Sequence, residues 1–379
     1  MKITEIRKHT LRANWRNYIF VELLTDEDGI VGLGEATLAN NQHGVLGAID
    51  DLRKYVIGQD PFDVERIWRS MHRSPFWRGG AIFTTAISAI DQCLWDIIGK
   101  SSKLPLYRLI GGTYRESVRL YANGWFSGVG TPRQYASAAE KAVKRGGFTA
   151  LKFDPFGTSD MTIDPETEEN AIGIVKAVRS AVGQKVELLI EAHGRFTPKV
   201  AIRIGKKLER YDPLWYEEPV PPEDTAGLAR VAREVDIQIA TGERLFTRLD
   251  YWNLLKRDDI GVDVIQPDVC HVGGISELRK IAAMAEIKNI LVAPHNSNGP
   301  ISTAASTHLL TAMPNGMILE YWVDIPWRSK LVVGGEHISK GYIKPSSRFG
   351  LGIELNEEEM KKHPSEETHI DFFTSYKYH

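Results

Sequence analysis

The chain has 379 residues, of which 42% are hydrophobic and 25% are charged, the balance of an ordinary globular protein. A formal charge of −2, without a block of Lys and Arg, argues against a nucleic-acid-binding protein. No stretch approaches the ~20 apolar residues of a membrane span, and the charged N-terminus does not resemble a signal peptide. We therefore expect a cytoplasmic protein without a membrane partner, whose Cys93 and Cys270 remain reduced.

The first third of the chain predicts a small α+β domain. Residues 1–35 alternate in the manner of antiparallel strands, and residues 26–29 are expected to form the turn of a hairpin between 19–24 and 30–35. From residue 44 the pattern becomes helical, and residues 84–100 carry apolar side chains at near-helical spacing. The pair Gly111-Gly112 interrupts this pattern, so we place the end of a first domain, residues 1–112, there.

From residue 113 onward, strand-like and helix-like segments alternate every 25 to 35 residues or so. Eight predicted strands in such an alternation indicate repeated βαβ units and a (β/α)₈-type barrel over residues 113–345. The remaining residues 346–379 are expected to return and pack on the first domain. The predicted strands are 118–122, 149–153, 186–191, 214–217, 236–241, 262–266, 290–293 and 316–321.

Three glutamates, Glu191, Glu217 and Glu243, stand at equal intervals of 26 residues. Each follows a short apolar run that is typical of a buried parallel strand. Functional groups of a (β/α)₈ barrel lie at the carboxyl ends of its strands, so neighbouring strands would bring the three carboxylates together. Three oxygen ligands in one place are what a hard divalent cation such as Mg²⁺ requires.

The other predicted strand ends also carry ionisable side chains, which are costly to bury unpaired. Because residues i and i+2 of a strand share a face, we expect His193 to lie beside Glu191. Lys152 has a simpler alternative role, a salt bridge with Asp154, two residues later. A redox or metal pair at Cys270 and His271 is disfavoured, because the loop offers no further ligand. The candidate side chains are Lys152, Asp154, His193, Asp268, His295 and Glu320.

These motifs resemble those of the enolase superfamily, mandelate racemase subgroup, over essentially the whole chain. The resemblance implies a modified (β/α)₈ (TIM-type) barrel with an α+β capping domain formed by the N-terminal region and the C-terminal tail. The segments that carry it are Arg78 to Lys100, Glu217-Glu218-Pro219, Gly242-Glu243-Arg244, Gln266-Pro267-Asp268 with Gly273-Gly274, and Pro294-His295.

The resemblance also implies site roles. Glu191, Glu217 and Glu243 would bind one Mg²⁺ per subunit, Asp268 and His295 would form a dyad, and Glu320 would lie across the substrate carboxylate. Members of the family often form homo-oligomers, and we expect the same here.

His193, two residues after the first metal ligand, is similar to the corresponding histidine of galactonate-type acid-sugar dehydratases. With His295 as base and His193 as acid, an aldonate would lose its C2 proton to give an enediolate and then its 3-hydroxyl, leaving a 2-keto-3-deoxy acid. Lys152 and a protonated Glu320 would add stabilisation. Asp154 replaces the second lysine of the racemases, which disfavours a racemase that uses that lysine as a base.

Two alternatives remain open from the sequence. A racemase, epimerase or cycloisomerase would share the enediolate, and a non-catalytic metal-binding barrel would need none of the catalytic side chains. Substrate contacts are expected from Asp154 and from capping loops whose polar and aromatic side chains suit a polyhydroxylated acid, although each loop residue is equally well explained as plain surface. Those loop residues are Asn14, Trp15, His43, Trp77 and Arg78.

Overall fold

The structure is a computed structural model that describes residues 1–368. Its N-terminal part is a three-stranded antiparallel sheet, in the order β1-β2-β3, followed by four helices. The elements are β1 (Ile3–Ala13), β2 (Arg16–Thr25), β3 (Val31–Glu35), α1 (Gln42–Val56), α2 (Val64–Arg73), α3 (Ala81–Ser101) and α4 (Leu106–Leu109).

Helix α3 is the centre of this capping region. It packs against β3 at Gly34, where a Cβ atom would lie 2.1 Å from the carbonyl oxygen of Ala89, so only glycine permits this approach. By length and composition α3 could cross a membrane, but 72% of its most apolar window is buried inside the fold. Its apolar character is therefore explained by its place in a protein core.

The next part contains eight strands in one sheet, and seven helices within residues 1–368 join them. Parallel pairing runs from β10 through to β4, and β11 pairs with β4. The elements are β4 (Val118–Asn123), α5 (Pro132–Gly146), β5 (Ala150–Phe153), α6 (Pro165–Val182), β6 (Glu187–Glu191), α7 (Pro198–Leu208), β7 (Trp215–Glu217), α8 (Thr225–Glu234), β8 (Ile239–Thr241), α9 (Thr247–Leu255), β9 (Val264–Ile265), α10 (Gly274–Ile287), β10 (Leu291–Val292), α11 (Pro300–Ala312) and β11 (Leu319–Trp322).

The ring closes where the segment before β11 meets β10, through the bond from the Met317 amide to the Val292 carbonyl (2.8 Å). After β11 comes a short 3₁₀ turn, Arg328–Leu331, in the place of an eighth barrel helix. The predicted modified barrel is thus confirmed. All eight predicted strands exist, although β8, β9 and β10 are shorter than the predicted 236–241, 262–266 and 290–293.

The last described segment returns to the capping region, as expected. The Arg12 amide donates to the His363 carbonyl (3.0 Å), and Leu11 bridges Pro364. Residues 369–379 of the predicted segment 346–379 lie outside the described residues, and the boundaries at 112 and 345 stay predictions. The elements are β12 (Val332–Val333), β13 (His337–Ser339), β14 (Tyr342–Lys344), β15 (Glu354–Leu355) and α12 (Glu357–Met360).

Candidate active site

The inner face of the barrel is built in layers, and the strand period of two decides what each layer holds. One buried layer takes an apolar residue from each strand: Tyr121, Ala150, Leu189, Trp215, Ala240, Val264, Ala293 and Ile318. Two residues further along the same strands, and therefore on the same face, stand polar side chains. Asn123, Lys152, Glu191, Glu217, Gln266, His295 and Glu320 all occupy that next position. The candidate site is thus the layer above an apolar plug.

The three glutamates come together as predicted. Glu191 and Glu217 end β6 and β7 and are direct register partners, whereas Glu243 follows β8 by two residues, after Gly242 with φ of +128°. One ligand oxygen from each lies within 4.8 Å of the others. Burial raises the pKa of Glu217 to about 8, and the negative charge of Glu191 is the second largest contribution to this increase. This all-oxygen, mutually repelling set therefore fits a hard divalent cation.

Lys152 is the cation that the chain itself supplies to this layer. Its Nζ lies 2.7 Å from Glu217 Oε1, 3.3 Å from Glu191 Oε2 and 3.2 Å from Glu320 Oε1. Burial alone lowers the pKa of Lys152, but the carboxylates, Glu217 first, outweigh it and hold that pKa well above its usual value. The alternative of a simple salt bridge with Asp154 is therefore wrong.

His295 and Asp268 form a close pair. His295 Nδ1 lies 2.6 Å from Asp268 Oδ2, so Nδ1 carries the hydrogen and Nε2 is directed elsewhere. Nε2 faces the site, 3.6 Å from Glu243 Oε2 and 3.7 Å from Glu320 Oε2. Burial lowers the pKa of His295, but Glu243, Glu320 and Asp268 together raise it to about 10. A cation that neutralised Glu243 would bring this pKa back toward the range of a general base.

His193 has an aspartate of its own, which the sequence analysis did not foresee. His193 Nδ1 lies 2.6 Å from Asp154 Oδ2, and the buried guanidinium of Arg195 binds the same oxygen. Asp154 Oδ1 accepts from the Phe156 amide (2.9 Å). This buried carboxylate is engaged by three donors and orients the imidazole, and its contact with substrate stays a prediction.

The position of His193 does not follow from strand pleating, as was expected from the sequence. Strand β6 ends at Glu191, and His193 adopts a left-handed φ of +49°, so the i, i+2 rule for strands does not apply to it. Its backbone N–H instead donates to Glu191 Oε1 (2.7 Å). Burial lowers the pKa of His193, but Glu191 and Asp154 outweigh it and raise that pKa above its usual value. A turn, rather than strand pleating, brings the histidine beside the carboxylates.

Glu320 lies deep in the layer and is held as an anion. It accepts hydrogen bonds from the Asn123 side chain (2.6 Å) and the Asn296 amide (2.8 Å). Burial raises its pKa, but Lys152 and then His295 lower the pKa of Glu320 to about 2. The expectation of a protonated Glu320 that donates to substrate is therefore not met in this state. The sequence does not by itself single out Asn296. Asn123 could have been identified, because it follows Tyr121 by two residues on β4 and therefore shares its face.

The capping residues divide into two groups. In the β1–β2 turn, Asn14 donates to Asp324 Oδ2 (3.0 Å), and Trp15 meets Trp322 edge to face at 5.8 Å. This turn therefore lies at the carboxyl end of β11, near the site. His43, Trp77 and Arg78 are exposed, Trp77 to 87%, and their substrate contacts stay predictions.

The sequence analysis missed Arg16 in the same turn. The Arg16 side chain is buried, lies 3.5 Å over the Trp15 ring and donates to Ser297 Oγ (2.8 Å), two residues after His295. The buried positive charge of Arg16, at the end of the barrel that carries His295, suits an anionic ligand.

Comparisons with known proteins point to one enzyme family. The N-terminal domain model of the mandelate racemase/muconate lactonizing enzymes matches residues 6–111, and the enolase C-terminal domain-like model matches residues 134–359. The D-galactonate dehydratase of Pectobacterium atrosepticum is 37% identical over 94% of this chain and 93% of its own. The D-gluconate/D-galactonate dehydratase of Picrophilus torridus is 36% identical over 92% and 89% of the two chains. A crystal structure of an enolase superfamily member from Salmonella Typhimurium has a TM-score of 0.90 at 34% identity, covering 96% of this chain and 98% of that one.

Proposed function

The chain belongs to the mandelate racemase/muconate lactonizing enzyme family of the enolase superfamily, and on that premise we propose that it is an acid-sugar dehydratase. As a hydro-lyase, it would convert an aldonate into a 2-keto-3-deoxy acid and water. The relatives that match nearly the whole chain act on D-galactonate and D-gluconate by name, which supports an aldonate substrate of this size.

The observation that carries the proposal is the pair of His–Asp couples beside one carboxylate trio. His295 is backed by Asp268 and His193 by Asp154, each at 2.6 Å. Removing water across C2 and C3 needs one group that takes a proton and another that gives one. An isolated metal-binding barrel would need neither couple.

We propose Mg²⁺, one per subunit, as the metal held by Glu191, Glu217 and Glu243, because all three offer oxygen to a hard cation. When bound, it would neutralise the negative charge that develops on the substrate carboxylate as the C2 proton leaves. Lys152, within hydrogen-bonding distance of Glu191 and Glu217, would add a fixed positive charge at the same place.

His295 and His193 would then divide the proton transfers. His295 Nε2 takes the C2 proton, while Asp268 holds the ring through Nδ1 and stabilises the imidazolium. His193 Nε2 gives a proton to the 3-hydroxyl, which leaves as water, while Asp154 and Arg195 fix its ring. The resulting C2–C3 enol tautomerises to the 2-keto-3-deoxy acid. The substrate thus loses one hydrogen from C2 and one hydroxyl from C3, which together are the atoms of the water released.

The setting of the enzyme belongs to the same proposal. Cys93 and Cys270 are both buried, free thiols, which supports a reducing, cytoplasmic compartment. We propose that it acts on small acid sugars in carbohydrate catabolism, since its substrate would be a polyhydroxylated carbon source. From the resemblance to the family, we also propose a homo-oligomer.

The test is a panel of aldonates differing at C2 to C5, incubated in D₂O with the metal-loaded protein. Keto acid is measured with semicarbazide and C2 deuterium by NMR, and His295→Asn is the matched control for site dependence. We expect keto acid from one or a few members of the panel and none from the control. Deuterium exchange or inversion at C2 without keto acid would identify an epimerase or racemase instead. Neither signal with any acid would leave a non-catalytic barrel.

A further inference from the structure

His271 lies between the capping region and the His295–Asp268 pair. Its Nε2 lies 2.9 Å from the carbonyl oxygen of Thr37, in the loop after β3, and its Nδ1 lies 3.4 Å from Asp268 Oδ2. Because a carbonyl can only accept, Nε2 carries a hydrogen. The His271 ring is buried, and its centroid is 6.4 Å from that of His295. It thus joins two parts of the chain without reaching the reacting layer.

The Asp268 carboxylate is held by contacts from two barrel loops. Its Oδ1 accepts from the Cys270 amide (2.7 Å), and its Oδ2 faces His295 Nδ1 (2.6 Å), Asn298 Nδ2 (2.8 Å) and His271 Nδ1 (3.4 Å). Asp268 is completely buried, so these neighbours alone set the direction of its lone pairs. A shift of any of them would turn the carboxylate and, with it, the ring of His295.

The capping loop beside His271 is itself fixed to the barrel. The buried Glu35 carboxylate accepts from the Gly299 amide (2.6 Å), the Ser302 amide (2.9 Å) and the Thr37 hydroxyl (2.6 Å). Gly299 directly follows Asn298, which donates to Asp268. One short capping loop therefore reaches Asp268 by two routes, through His271 and through the segment that carries Asn298.

We propose that His271 is a positioning residue that transmits the seating of the capping domain to the catalytic dyad. The inference rests on the proposed function, because it assigns His295 as the base that the dyad orients. His271 touches neither the carboxylate trio nor the open face of His295; it acts through Asp268. A seated capping loop holds the ring against the carboxylate, so the base is aligned only when the loop after β3 is in place against the barrel.

Three variants separate the two contacts of the ring. His271→Asn keeps a polar side-chain group near the position of Nδ1, facing Asp268, whereas His271→Gln carries its amide toward Thr37 and leaves the position facing Asp268 empty. His271→Phe keeps the ring but loses both contacts. Trp95→Phe is the matched control, because the Trp95 indole donates to Ser276 Oγ (2.9 Å) across the same capping–barrel interface, away from Asp268.

For an active wild-type enzyme, we expect His271→Phe and His271→Gln to lower kcat about 10- to 100-fold, with KM changed less than about 3-fold. The acid limb of their kcat–pH profile should move, and His271→Asn should restore most of both properties. Trp95→Phe should keep the wild-type profile. A wild-type kcat and pH profile in His271→Gln would overturn the proposal, as would losses that follow only the unfolded fraction in all three variants.

A second measurement does not depend on turnover. Imidazole ¹⁵N–¹H NMR of the substrate-free protein reports the His295 Nδ1–H bond to Asp268 directly. We expect its resonance to shift in His271→Gln, to return in His271→Asn and to be unchanged in Trp95→Phe. These shifts in a protein inactive on every acid sugar would support the positioning role while refuting the dehydratase. Unshifted resonances in an active enzyme would refute the positioning role alone.

Discussion

His308 is expected to make the fold sensitive to acid. It lies in α11 and is buried, with Nδ1 accepting from the Tyr107 amide (3.3 Å) and Nε2 donating to the Leu351 carbonyl (3.1 Å). The neutral ring thus links the barrel to α4 and to the returning C-terminal segment. A second proton would have to occupy the nitrogen that accepts from Tyr107.

The size of the effect follows from the pKa difference between folded and unfolded protein. Burial lowers the pKa of His308 from 6.5 to about 4. Between these values the unfolded chain binds a proton that the folded protein does not, so the free energy of unfolding rises with pH. The stability is present above pH 6.5 and is lost as the pH falls to about 4. At 1.36 kcal/mol per pKa unit, the loss is about 3 kcal/mol.

Equilibrium urea unfolding of wild type and His308→Gln, at steps from pH 7.5 to pH 4, measures this loss. Taking the difference between the two proteins at each pH cancels the other titrating groups, which both share. We expect wild type to lose about 3 kcal/mol relative to the variant across this range. A difference that stays constant with pH would refute the linkage, whatever its value at pH 7.5.

Three further predictions follow from the site and its supports. His193→Ala should lower dehydration about 10²- to 10⁴-fold while C2 deuterium exchange continues, measured by keto acid and NMR; equal loss of both would contradict its role as acid. Removal of divalent metal by a chelator should abolish keto acid formation and lower the melting temperature, because the three glutamates then repel one another. Addition of Mg²⁺ should restore both properties. Turnover that survives chelation would refute the metal site. Asp91→Ala should lower the free energy of unfolding in urea by about 1 to 2 kcal/mol and leave KM unchanged. The reason is that the Ser276 amide, in the first turn of α10, would lose its acceptor, Asp91 Oδ2, at 3.0 Å. An unchanged free energy of unfolding would contradict this prediction.

Much of the fold could be predicted because its signals are local. Alternating strand and helix patterns gave all eight barrel strands, and the interval of 26 residues brought Glu191, Glu217 and Glu243 to one end of the barrel. The shorter β8 and β9 show where propensity misleads, since the apolar residues Ile237 and Val262 precede the first residues of those strands. The Asp268–His295 pair came from family resemblance rather than from spacing.

The partners of the site residues were harder to predict. From the sequence, Asp154 is a possible salt-bridge partner of Lys152, but the contacts of Lys152 are with Glu217, Glu191 and Glu320 on other strands. His271 received no role because the loop around it offers no further ligand; its two neighbours, Asp268 and Thr37, come from different domains. A search limited to nearby sequence cannot identify such contacts.

By itself, the sequence determined which face of each strand carries a polar side chain, because pleating repeats every two residues whatever surrounds the strand. Closure of the barrel and seating of the capping region decided which of those side chains meet. Asp154 lies 39 residues from His193, and Thr37 lies 234 residues from His271. Contacts at such separations depend on how the whole chain packs, and an ionisable group that packing buries must take whatever partner the fold brings within reach.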